Sequence, residues 1–142
     1  MSALEKRAWL SLCSQVPPYL VYFLIQWVWP AWVPDVRAHI VCLALAAGVH
    51  AVVYLGGWLL LKRRERGEQL LLDERDRGID GRATRLAYML LLTFMILVGV
   101  VMPFGNHGWQ LTNAALFAVV ASEVVRYALI VVGYRRPLRF AR

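Results

Sequence analysis

Three side chains stand where they could do chemistry inside an apolar environment. Glu123 and Arg126 lie three residues apart in a stretch that is otherwise free of charge, and His50 lies alone in another. Residues three apart share a helix face, so Glu123 and Arg126 can pair. A carboxylate, a guanidinium and an imidazole at one depth could hold a proton or a small polar ligand. The same groups could equally form a hydrogen-bonded lock that fixes which helices pack together. A charge at the centre of a bilayer costs about 2.5–3.5 kcal/mol on insertion scales, so either role needs a protein-facing position. The spacing provides one on each side. Thr112, Ala115, Val119, Ser122 and Arg126 form a stripe of mostly small or polar residues, and His50 shares its face with Leu43, Ala46, Ala47, Tyr54 and Gly57. Helix against helix, these faces bring His50, Ser122, Glu123 and Arg126 into one intramembrane polar cluster.

A second group lies in the segment KRRERGEQLLLDERDRGIDGRATR, residues 62–85, which holds eight basic and six acidic side chains. Within it, Asp73, Glu74, Arg75, Asp76, Arg77, Asp80 and Arg82 form a dense charged set that can dock a partner protein, pair internally as a solvated turn, or meet anionic lipid. Metal binding does not fit. A calcium loop starting at Asp73 needs oxygen ligands where Arg75 and Arg77 stand. The Asp80-Gly81 pair lacks the further aspartates of a phosphoalcohol transferase signature. No phosphate-binding glycine loop, nucleophile elbow or metalloprotease histidine spacing is present, so the sequence reads as non-enzymatic and without a cofactor. Cys13 and Cys42 fall at different depths on different spans and read as small apolar packing residues. A haem held between His39 and His107 at the outer surface is geometrically conceivable, but the pair has no further support.

The elements that carry these groups follow from the distribution of charge. Apolar residues make up 60 % of the chain and its mean hydropathy is +0.53, above the roughly 45–50 % apolar content of a soluble domain. That excludes a soluble enzyme, a disordered chain and a disulfide mini-protein. Residues 8–34, 38–61 and 86–122 carry no charge, and residues 124–134 are interrupted only by Arg126. About 20 continuous apolar residues suffice for one transmembrane helix. The expected spans are therefore about 8–29, 38–61, 86–104 and 111–133. Residues 62–85 form a loop between the middle two, and a tight turn falls at Gly105-Asn106-His107-Gly108. Pro17-Pro18 should kink the first span. Those prolines, the tryptophans after them and the absence of a small-x-small exit argue against a cleaved leader.

Fourteen of the sixteen Lys and Arg residues lie at the termini or in residues 62–85. The positive-inside rule then places both termini and the central loop in the cytoplasm. Trp27, Trp29, Trp32 and Trp109 mark an outer aromatic belt, and Trp9 and Trp58 an inner one. The expected fold is an all-α four-helix transmembrane bundle forming one integral domain over residues 1–142. The net charge of +7 is a topology signal rather than a footprint for direct nucleic-acid contact.

Two short motifs carry a resemblance. Glu5-Lys6-Arg7-Ala8-Trp9 opens an aromatic-rich span with Tyr19 and Tyr22, and Asp73-Glu74-Arg75-Asp76 is followed by Ile79, Arg82 and Tyr88. Together they resemble small uncharacterised bacterial inner-membrane proteins with four spans and a D-E-R-D loop. The Pro17-Pro18 pair departs from that pattern. The resemblance implies no catalytic residues. It implies a regulatory or accessory subunit working through protein contacts, with a small helix-turn-helix regulator as the kind of cytoplasmic partner and the charged loop as its docking surface. The alternative is a small proton-coupled transporter or channel. Four spans are few for a carrier, so that reading needs a homo-oligomer. Ala44, Ala47, Gly48 and Ala51, with Ala114, Ala118 and Ala121, offer the small-residue faces for it.

Overall fold

A computed structural model of the chain describes residues 3–30, 35–64, 74–105 and 108–135, without the side chains of Ala3, Arg64 and Arg75. The fold is all-α, with no strand among the described residues. Helix α1 spans Ala3–Val28, α2 Val36–Arg64, α3 Glu74–Ile96 and α4 Trp109–Arg135. Each supplies a segment long and apolar enough to cross a membrane: Leu4–Val28, Val36–Arg63, Asp76–Phe104 and Trp109–Arg135. At 1.5 Å per residue, α2 is roughly 43 Å long, more than the roughly 30 Å hydrocarbon layer. The excess at its C-terminal end is basic. There Lys62 folds its ammonium back over the Trp58 ring one turn earlier, 4.8 Å from the centroid, a cation–π contact that the aromatic face favours.

The chain parts into two compact units. One is Leu10–Gln69, and the other is Met1–Trp9 with Leu70–Arg142. In the first, α1 runs unbroken through Pro17 and Pro18, although neither can donate the N–H that the carbonyls of Cys13 and Ser14 would receive. Gly57 lets α2 approach α1 closely, because a Cβ there would collide with the Leu10 side chain. Asp35 caps α2, its Oδ1 accepting the Ala38 N–H at 2.8 Å, which satisfies one of the donors a helix start leaves open. An open apolar groove of about 420 Å³ runs along this hairpin between Pro17, Pro18 and Tyr22 of α1 and Cys42, Ala46 and Val49 of α2.

In the second unit α3 and α4 pack antiparallel. Ile79 lies against Gly133, where a Cβ would come within 2.8 Å of Ile79 Cγ2. Near the other end the rings of Phe94 and Phe117 meet with centroids 6.2 Å apart. Arg135 closes the charged end by lying over Trp9, 5.5 Å from the ring centroid. At the opposite end α3 loosens. Pro103 withholds an N–H, and the preceding turn, Leu97–Val101, widens to π geometry with the Met102 N–H bonded back to the Leu97 carbonyl. A 3₁₀ turn, Met102–Phe104, follows. Gly108 then leads into α4 with φ +58°, a conformation that suits a residue without a Cβ.

Within residues 62–85, the segment between the middle spans, α2 continues to Arg64 and α3 begins at Glu74. The stretch from 74 to 85 holds no proline, and Glu74 and Asp76 sit in the first turn of α3, where the helix dipole favours negative charge. Its charge therefore marks a helix that extends beyond the apolar layer. The tight turn at Asn106 and His107 and the belt residue Trp32 lie outside the described residues.

Candidate functional site

The charged start of α3 is two-faced, and its spacing explains how. Asp76, Ile79, Asp80, Ala83 and Ala87 recur every three or four residues on one side. Glu74, Arg77, Gly78, Gly81, Arg82 and Arg85 occupy the other side and are exposed. The first side packs on α4. Ala83 and Ala87 are buried, and their small side chains let the helices close up. The two aspartates precede them on the same side of the helix. Tyr134 donates its phenolic O–H to Asp76 Oδ1, and the Arg126 guanidinium donates to Asp80 Oδ1 at 3.2 Å.

Helix register makes the second contact informative. Asp76 is level with Tyr134, Ile79 with Gly133 and Phe94 with Phe117. Arg126 is therefore level with about residue 85 and must reach roughly 7 Å along the helix to meet Asp80. The side chain bends toward the charged end, its guanidinium passing 5.6 Å from the centroid of the adjacent Tyr127 ring. The pair is half-buried, with side chains 31 % and 39 % exposed. Arg126 Nε is buried without a hydrogen-bond partner among the described residues. The charge that would have been most costly at mid-membrane is thus drawn to the edge of the apolar layer and matched there.

The intramembrane candidates fall as follows. Glu123 is half-buried on α4 and takes no ion pair or hydrogen bond among the described residues; the partner of Arg126 is Asp80. Ser122 is buried, and its hydroxyl donates to the Ala118 carbonyl at 2.7 Å, a tie back to its own helix. His50 belongs to the Leu10–Gln69 unit and Ser122, Glu123 and Arg126 to the other. It stands at the midpoint of α2, edge-on to Tyr19 at 5.7 Å and to Tyr54 at 6.1 Å between centroids. Of the charged set at the start of α3, Asp76 and Asp80 are engaged by α4, while Glu74, Arg77 and Arg82 are exposed. Asp73 and the Arg75 side chain lie outside the described residues. Both cysteines are free thiols. No three His, Cys, Asp or Glu side chains among the described residues group as metal ligands.

Tyr134 is the member of this network that sequence reasoning passes over. The available signal is the three- and four-residue recurrence of Asp76, Asp80, Ala83 and Ala87, which marks a helix face in need of donors.

A family model described as predicted membrane protein (DUF2178) matches residues 18–138. The chain belongs to that family. The match takes in Asp73–Asp76 and all of α2, α3 and α4, and it leaves out Glu5–Trp9. With four membrane-length helices, this family member is a multi-pass membrane protein. No curated protein and no solved structure matches the chain.

Proposed function

We propose that this protein is a non-enzymatic bacterial inner-membrane protein that works as a regulatory or accessory subunit through protein contacts. Its charged end is cytoplasmic, following the concentration of Lys and Arg there. The observation that carries the reading is the division of α3. Asp76 and Asp80 are tied to Tyr134 and Arg126, which fixes a helix that stands clear of the apolar layer and offers Glu74 and Arg77 outward. A helix end anchored in this way costs a partner little ordering on binding. A small helix-turn-helix regulator is the kind of partner that would dock there. Crosslinking in native membranes, followed by purification and mass spectrometry, should recover one stoichiometric soluble partner with crosslinks to residues 62–82. Replacing Glu74 and Arg77 together by Gln should lose it. Retention of the partner by that variant refutes the surface assignment.

A second reading is a small oligomeric proton-coupled transporter. It draws on Glu123, a half-buried carboxyl in the span of α4 with no ion pair among the described residues. Glu123→Gln should then change a proton or solute flux in proteoliposomes while the protein stays folded. An unchanged flux removes this reading.

A further inference from the structure

The outward face of α3 continues past its charged start. Gly78, Gly81, Arg82 and Arg85 are followed at the same three- and four-residue spacing by Tyr88, Met89 and Leu92, and all seven are exposed. Arg82 and Arg85 make no ion pair among the described residues. The helix's own aspartates point the other way and are engaged by α4. The two arginines lie one turn apart, roughly 4.5 Å along the axis, so their guanidinium groups can converge on one anion. The floor beside them is open, since a Cβ built at Gly78 or Gly81 meets nothing within 4 Å. Glycine inside an exposed helix weakens it, and no contact among the described residues explains its presence at either position.

We propose that this face holds an anionic phospholipid. Its phosphate sits between Arg82 and Arg85 above Gly81, and its acyl chains run along Tyr88, Met89 and Leu92. The continuity of the face decides the occupant. Arg85 is the last charge before the charge-free run Leu86–Ser122, so the arginines stand at headgroup level and the apolar half of the face lies in hydrocarbon. An acidic soluble protein could meet the arginines but could not follow the face into the bilayer. A second copy of the same face would set arginine against arginine. Guanidinium groups suit phosphate oxygens through paired N–H donors. The site is deeper on α3 than Glu74 and Arg77 and does not depend on the protein-contact reading.

The test uses the full-length protein in mild detergent, offered phosphatidylglycerol or phosphatidylcholine and read by native mass spectrometry. The wild type should retain phosphatidylglycerol preferentially. Arg82→Gln with Arg85→Gln should lower that preference by about thirtyfold, from the contribution of two surface arginines. Gly81→Leu keeps both charges and improves helix propensity, yet by filling the floor it should also lower the preference. Glu74→Gln with Arg77→Gln should leave it intact. Absence of any preference in the wild type overturns the proposal, and so does its survival in both the double-arginine and Gly81→Leu variants. Displacement of the bound lipid by excess inorganic phosphate overturns the lipid assignment.

Discussion

Arg126 can pair along its own helix with Glu123 or across the hairpin with Asp80, and the two arrangements predict different energetics. In the structure the guanidinium meets Asp80 at 3.2 Å with both side chains about two-thirds buried. At that separation and an effective dielectric near 20, the bare attraction is about 5 kcal/mol. Desolvation of both groups offsets most of it. Exposed pairs retain about 0.2–1 kcal/mol, whereas removing one partner of a buried pair costs about 3–5 kcal/mol. A half-buried pair should fall between these limits. Asp80→Asn is therefore expected to destabilise the protein by about 2 kcal/mol, because it leaves Arg126 unmatched with its Nε already lacking an acceptor among the described residues. Arg126→Met removes the charge altogether and should cost less. The double variant should recover part of the loss, giving a coupling energy of about 1–2 kcal/mol. The assay is reversible unfolding in mixed micelles across the four-protein cycle, with a parallel cycle of Arg126→Met and Glu123→Gln. The second cycle should be additive within about 0.5 kcal/mol. Coupling of Arg126 to Glu123 with additivity toward Asp80 would refute the register and the pairing together.

Three further outcomes follow from the same geometry. Gly133→Val should destabilise the α3–α4 hairpin by about 1–3 kcal/mol through overpacking on Ile79, and Ile79→Ala in the same protein should restore part of that loss in the same unfolding assay. Tyr134→Phe should cost about 1.5 kcal/mol, the lower end of what a hydrogen bond to a charged group contributes because the pair is only part-buried, with no change in oligomeric state on size-exclusion chromatography. Asp35→Ala should cost about 1 kcal/mol by removing the α2 cap, while Asp35→Ser should retain most of it; hydrogen exchange at the start of α2 reads the difference.

Four spans are legible in the sequence because the bilayer imposes one dominant demand. Each crossing must bury its backbone polar groups in a helix and keep charge out of about 20 residues. The charge-free runs meet that demand directly, and the ends of the run 38–61 locate α2 to within three residues, whereas the start of α4 falls inside the run 86–122 and is marked by Pro103, Gly105 and Gly108 instead. The start of α3 is less legible. A dense run of both charge signs reads as loop when counted, and only its periodicity shows that the aspartates and arginines occupy opposite sides of a helix. The partner of Arg126 is hidden for another reason. Asp80 is 46 residues away, and local spacing offers Glu123 as the nearer choice. The antiparallel register that brings Asp80 within reach depends on Ile79 meeting Gly133, a packing detail that neither residue type announces alone.

The two faces of α3 also explain why both charge signs crowd into so short a stretch. A helix that carried only arginine there would satisfy the positive-inside rule but leave Arg126 of α4 without a counter-charge. A helix that carried only aspartate would match Arg126 but give up the basic edge on which the proposed orientation rests. Placing Asp76 and Asp80 inward and Arg77, Arg82 and Arg85 outward meets both demands within three turns. Exchanging the sides should separate them. Swapping Asp80 with Arg82 preserves composition and net charge while setting an arginine against Arg126 and an aspartate at the membrane edge. Unfolding should then come at lower detergent strength than in Asp80→Asn, because a like charge replaces a neutral amide. If the swapped protein is as stable as the wild type, composition alone governs this segment and the inward placement of the aspartates is not what holds the hairpin together.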